Sequence, residues 1–258
     1  MSHHWLDSRR SPEDCHGGNA DLVLVHSSDL HLTSELPFGQ HGPRDELAAL
    51  RRVIRAAEEA GADVLLLAGD VFDSNRQSAS ILDAAARLMA DAAFPIVILP
   101  GNHDPLTTDS VYQHSSLTGA SSVVVLGLSV EEAVLFPELD LQVWGRAHVD
   151  YSDMRPLRDR RPRASRWQVA MAHGHYVDGS PGPHELRGSW LIYSEDITAT
   201  GADYVALGHW NRAARVGDGG VPAYYSGSPD FADTINVVRF STSAGVQVIL
   251  TVLKPDSM

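Results

Sequence analysis

The sequence predicts a layered α/β sandwich built as one domain, and three observations carry that reading. Continuously apolar runs of strand length alternate with amphipathic helical segments through the first half. Runs that are apolar without alternation imply strands covered on both faces. The second half is richer in strands, with seven further runs of that kind.

Residues 1–20, MSHHWLDSRRSPEDCHGGNA, are polar and lack periodicity, so they read as a disordered tail before a domain spanning 21–258. LVLVHSS (22–28) is the first strand. In 44–60, Leu47, Leu50, Val53, Ile54 and Ala57 share one helical face, and Gly61 follows as a stop. DVLLLAG (63–69) is a buried strand, residues 78–93 are helical, and PIVILPG (95–101) is another buried strand. The later strands are expected at 123–127, 141–145, 167–174, 203–209, 223–227, 235–240 and 246–253, the last two joined through STSAG as a hairpin. There is no internal repeat and no linker.

Composition sets broad limits. Hydrophobic residues at 43% and charged residues at 21% are ordinary globular values, so 258 residues can bury a sizeable core. A formal net charge of −13 provides no global field toward nucleic acid or an anionic membrane. Lys254 is the only lysine, so basic contacts would have the forked geometry of arginine. Cys15 is the only cysteine, which excludes an internal disulfide and suits a reducing, cytoplasmic setting. Neither a signal peptide nor a membrane span is evident, and no membrane association is expected.

The informative residues stand at the carboxyl ends of five strands, the edge where α/β sheets bind ligands. They are Asp29 and His31; Asp70 and Asp73; Asn102, His103 and Asp104; His173 and His175; and His209. Each alone has a plain structural explanation. Asp29 and His31 could form an Asx-type turn, Asp70 could cap a turn, Asp104 could cap a helix, and His173 or His209 could be hydrogen-bonded core residues. Jointly they form a metal-ligand set, because ordinary polar turns are dominated by Ser, Gly, Lys and Glu. Carboxylates, imidazoles and an amide suit two divalent ions, Mn foremost with Fe or Zn as alternatives. The ligands exceed the needs of one ion, so two ions sharing a bridging carboxylate are expected, an arrangement suited to phosphate-ester hydrolysis.

DLH, GDVFD, GNHD, HGH and GHWN, in that order, resemble the five motifs of the calcineurin-like metallophosphoesterases across residues 21–240. LVHSSDLHLTSELPFG and YYSGSPDF look most like the SbcD-type DNA-repair exonuclease branch. The resemblance implies a single-domain four-layer α/β/β/α sandwich. It also implies that Asp29 and His31 hold the first ion, that Asp70 bridges, and that Asn102, His173 and His209 complete the second site. His103 would protonate the leaving alkoxide, with Asp73 fixing its ring. The implied reaction is in-line attack on phosphorus by a metal-bound hydroxide, with no covalent enzyme intermediate.

One motif departs from the pattern. Relatives commonly carry Gly-His-x-His, whereas this chain has Asn211 at the final position. A neutral amide is a weaker donor, so a weaker first metal site is expected, with Asn211 either ligating or turned away. His175 is the alternative ligand, or a contact to substrate phosphate. The loop RPLRDRRPRASR (155–166), including Arg163 and Arg166, is either a solvated loop or a phosphate-contacting one. Trp144, Tyr176 and Trp210 are either base-stacking or core aromatics.

The expected activity is that of a DNA exonuclease or related nuclease. The alternatives are a small-molecule phosphodiesterase or phosphomonoesterase acting on nucleotides or another metabolite, and a non-catalytic binding module. SbcD-type nucleases are longer, adding a capping domain and a segment that docks an ATPase. No ATPase partner is evident from this sequence, which ends soon after its last hairpin.

Overall fold

The strands that look like uninterrupted apolar runs do so because two sheets are stacked, and each inner strand is buried from both sides. The computed structural model describes residues 21–33, 45–158, 160–178 and 190–255. The tail expected over 1–20, with Cys15, and Asp159 of the arginine loop lie outside them.

In chain order the elements are β1 (Leu22–Ser27), α1 (Ala48–Ala60), β2 (Val64–Ala68), α2 (Ala79–Ala90), β3 (Ile96–Leu99), α3 (Ser115–Gly119), β4 (Val123–Val125), β5 (Ala133–Phe136), β6 (Leu141–Gly145) and β7 (Trp167–His173). There follow β8 (His175–Tyr176), β9 (Leu191–Ile192), α4 (Ser194–Thr200), β10 (Tyr204–Gly208), β11 (Ala213–Val216), β12 (Ala223–Ser226), β13 (Thr234–Ser241) and β14 (Gly245–Val252). Every strand expected from the sequence is present, and Gly61 ends α1 in the left-handed conformation at φ 67°. Additional to expectation are β5, β8, β9, β11, α3 and α4, all short and held by tertiary pairing rather than by a strong local pattern.

The first sheet has the order β14-β13-β1-β2-β3-β4, and the second has β11-β12-β10-β7-β6-β5. In each, four adjacent strands are parallel: β1 to β4 in one, and β12, β10, β7 and β6 in the other. Antiparallel strands complete the edges, including the β13–β14 hairpin.

Alternation along β1 shows how the layers form. Val23 and Val25 face Leu50, Val53 and Ile54 of α1 and Ile81 and Met89 of α2. Leu22 and Leu24 face Val143, Val169, Met171 and Tyr204 of the second sheet. The opposite face of that sheet, with Ala170, Ala172, Val205, Leu207 and Tyr225, is closed by Ile192 and by Ile197 of α4. The result is an α/β/β/α sandwich. Each fully buried Val or Leu in these layers contributes roughly 1.5–3 kcal/mol. Among the described residues no helix is long and apolar enough to cross a membrane.

Candidate metal centre

Stacking the two sheets brings the carboxyl ends of the parallel strands β1, β2 and β3 against those of β7 and β10. The approach requires glycine. A Cβ on Gly208 would stand 1.8 Å from the Ala68 carbonyl oxygen, and one on Gly101 would stand 2.2 Å from Asp70 Oδ1. The backbone is also strained here. Asp29, His31, Asp70 and His209 have φ of 56°, 47°, 52° and 105°, in the region that L-residues rarely adopt. Such strain costs on the order of 1–3 kcal/mol per residue and clusters where function holds it in place.

His173 is fully buried on β7. Its Nδ1 donates to the Ala68 carbonyl at 2.9 Å, so Nε2 is the atom turned to the site. Nε2 lies 3.1 Å from Asp70 Oδ2 and 3.0 Å from Asn102 Oδ1. His209 Nδ1 meets the same Asn102 oxygen at 3.2 Å, and the His209 backbone N–H donates to both Asp29 carboxylate oxygens, at 3.1 and 2.9 Å. Donor atoms of Asp70, His173 and His209 all lie within 4.8 Å of one another, as do those of His31, Asp70 and His103. Asp70 therefore stands in both groups.

Electrostatics sharpen the picture. Burial disfavours the His173 imidazolium, but the Asp70 and Asp29 carboxylates outweigh burial and push its pKa up to about 10. Burial likewise opposes the Asp70 carboxylate, yet attraction to His173 and His103 carries its pKa below the ordinary range. Burial, and then the Asp70 charge, raise Asp29. His209 falls to about 4 through burial and then repulsion from His173, so its ring is neutral at pH 7. The His173 proton thus sits between oxygens of Asp70 and Asn102, where a cation would find the same partners. A buried, oxygen- and nitrogen-rich set without thiolate fits divalent first-row ions. The His173 N–H to a backbone carbonyl is the arrangement that metal-bound histidines use.

The structure redistributes one expected contact. The family resemblance assigns Asp73 to the His103 ring, but Asp73 Oδ1 bonds His31 Nδ1 at 3.1 Å and stays 3.8 Å from His103 Nδ1. His103 is instead held by the Asp73 backbone carbonyl, at 2.9 Å from Nδ1. A carbonyl only accepts, so Nδ1 keeps its proton and Nε2 is the exchangeable position. The His103 backbone N–H also donates to Asp70 Oδ1 at 2.9 Å.

Asn211 is exposed, and its backbone carbonyl accepts from Ser228 N–H at 3.3 Å; among the described residues its side-chain amide bonds none of the candidate ligands. His175 Nδ1 accepts from the Trp210 indole N–H at 3.0 Å. A neutral imidazole has one lone pair, so Trp210 occupies the one His175 would offer a metal.

Arg163 and Arg166 lie just before β7, at the opposite end from His173. Arg163 bonds Asp203 Oδ2 at 2.7 Å and the Gly201 carbonyl at 2.9 Å, while Arg166 bonds Thr242 and lies 5.2 Å over the Trp167 ring. Six residue steps along β7, at ~3.3 Å each, separate them from the metal centre by roughly 20 Å. They are not brought to the site. Trp144 is a buried core residue. The Tyr176 hydroxyl meets Ser194, and Trp210 stacks on Tyr225 at 4.4 Å.

Two residues support the site from behind. Asp104 is fully buried and accepts from Gly101 N–H at 2.7 Å, Phe72 N–H at 3.0 Å and Tyr112 O–H at 2.5 Å, locking the GNHD loop to the GDVFD loop. These bonds, rather than a helix cap, are its role. His148 Nε2 donates to the His173 carbonyl at 2.9 Å, and burial holds His148 down at about 4.

Comparison with known proteins agrees with the geometry. The family model described as calcineurin-like phosphoesterase matches residues 22–213, and this chain belongs to that family. The chain is 27% identical over 205 residues to an uncharacterized metallophosphoesterase, YhaO, of Bacillus subtilis, covering 73% of this chain and 48% of that one. It is 26% identical over 245 residues to the SbcD component of nuclease SbcCD from the same organism, covering 81% and 61%. It thus spans about half to three-fifths of the length of these relatives. The crystal structure of TT1561 from Thermus thermophilus superposes with a TM-score of 0.55 at 11% identity, over 92% of this chain and all of that one, which shows the shared fold.

Proposed function

We propose that this chain is a metal-dependent phosphoric ester hydrolase that cleaves phosphodiester bonds, with DNA as its substrate class. The observation that carries the reading is Asp70, one carboxylate common to two convergent donor groups, His31 with the half-exposed His103 on one side and His173 with His209 on the other. Asp29, His31 and Asp70 would hold the first ion, and Asp70, Asn102, His173 and His209 the second, with Mn²⁺ the ion best suited and Fe or Zn the alternatives. When bound, two such ions neutralise phosphoryl oxygens and lower the pKa of an attacking water.

The protein's own groups supply the rest. His31 is oriented by Asp73, His173 by the Ala68 carbonyl, and His103 by the Asp73 carbonyl. His103 Nε2 delivers a proton to the departing oxygen, a role worth about 10²–10⁴-fold for a basic leaving group. Similarity to a component of the nuclease SbcCD supports DNA as the substrate. A second reading, a small-molecule phosphodiester, is favoured by the engagement of Arg163 and Arg166 away from the site and by the charge of −13.

Turnover with Mn²⁺ on single-stranded DNA, bis(p-nitrophenyl) phosphate and p-nitrophenyl phosphate separates the readings, with Asp70→Asn as the inactive control. The nuclease reading requires cleavage of DNA and the diester well above the monoester. Preference for the monoester, or activity that survives Asp70→Asn, overturns it.

A further inference from the structure

We propose that Ser228 is a positioning residue of the first metal site, tying the strained Asp29 backbone to the loop that carries Asn211. This rests on the reading of Asp29 as a ligand. Ser228 lies in the turn after β12, whose carboxyl end shares an edge with that of β10 because the two strands are parallel. It is 1% exposed. Its hydroxyl donates to the Asp29 carbonyl at 2.8 Å, and its backbone N–H donates to the Asn211 carbonyl at 3.3 Å.

Asp29 is gripped at three points. Its N–H donates to the Gly69 carbonyl at 3.0 Å, its carboxylate receives the His209 N–H, and its carbonyl receives Ser228. A left-handed Asp persists only when its surroundings over-determine it, and the Ser228 hydroxyl is a side-chain contribution made directly to its backbone. The turn is itself fixed. Ser226 Oγ meets Ser28 Oγ at 3.1 Å, the Ser226 carbonyl accepts from Thr234 Oγ1 at 2.7 Å, and Gly227 adopts φ 76° where a Cβ would strike Thr234. The segment YYSGSPDF thereby carries a rigid hydroxyl to the back of Asp29. Loss of that hydroxyl frees the Asp29 carbonyl, relaxes φ and swings the carboxylate.

Calorimetric titration of Mn²⁺ into the metal-free protein tests this on wild type, Ser228→Ala, Ser228→Thr and Asp29→Ala. Wild type should show two binding events. Ser228→Ala should weaken the looser event by about 10–100-fold, the usual cost of losing a group that orients a ligand, and leave the tighter one within about twofold. Ser228→Thr, which restores the hydroxyl, should recover the looser event. Should Ser228→Ala fold poorly, Ser228→Cys keeps the volume with a weak donor and should show the same selective loss. Unchanged events, or both events weakening together in step with lost thermal stability, overturn the positioning role. If Asp29→Ala leaves both events intact, the ligand assignment itself fails, and the proposal with it.

Discussion

Asp104→Asn is a sharp test of how the site is braced, because the substitution changes one atom in a fully buried position. The carboxylate accepts three hydrogen bonds, from Gly101 N–H, Phe72 N–H and Tyr112 O–H. The amide does best with its oxygen kept on Phe72 and Tyr112, which turns its NH₂ toward the Gly101 N–H. The Gly101 N–H and the new NH₂ are then two buried donors facing each other; leaving the Gly101 N–H unsatisfied alone costs roughly 1–3 kcal/mol, and two charge-assisted bonds become neutral ones, at about 1 kcal/mol each. The sum is about 3–5 kcal/mol, a large share of the ~5–15 kcal/mol by which domains are stable. Urea unfolding of the metal-free protein, followed by tryptophan fluorescence, should report that loss, and the melting temperature should fall by on the order of 10 °C. Tyr112→Phe, which removes a single donor, should cost less. A loss below about 1 kcal/mol for Asp104→Asn would refute the reasoning.

Four further outcomes follow from named contacts. His173, with its pKa raised to about 10, is protonated at pH 7.5 in the metal-free protein, yet a ligand must be neutral. Ion binding should therefore release about one proton, seen as a dependence of binding enthalpy on buffer ionisation enthalpy. By the same shift, His173 stabilises the metal-free fold fully below about 6.5 and loses that contribution as pH rises through about 10, so thermal melts should fall across that window. Gly208→Ala forces a Cβ to 1.8 Å from the Ala68 carbonyl and should cost at least about 3 kcal/mol by urea unfolding, since backbone on both sides must move. His103→Asn should lower kcat about 10²–10⁴-fold on a DNA phosphodiester, whose alkoxide needs a proton, and under about tenfold on a p-nitrophenyl ester, which needs none.

The strands and the polar turns that follow them are legible because fully buried parallel strands have continuous apolar runs, as in Val64–Ala68, and carboxylate and imidazole residues stand directly after those runs. The short edge elements were not, since β5 and β11 are four residues each and owe their form to a neighbouring strand. At the site, the sequence indicates which residue types gather but not how they pair. Asp73 and His103 are thirty residues apart in the chain, and only the folded loops decide that the carboxylate goes to His31 and the carbonyl to His103. Of the two readings of Arg163 and Arg166, the phosphate-contacting one finds no support for a related reason: they adjoin the strand that carries His173, but at its other end. His148 and Ser228 act through backbone carbonyls, those of His173 and Asp29, which leave no trace in residue type.

The central proposal is that Asp70 would be the carboxylate shared by two divalent ions. Crystals soaked in Mn²⁺ and measured for anomalous scattering at the manganese edge test it directly. The account requires two peaks flanking the Asp70 carboxylate, one beside Asp29 and His31 and the other beside Asn102, His173 and His209. A single peak, or peaks away from Asp70, would contradict it.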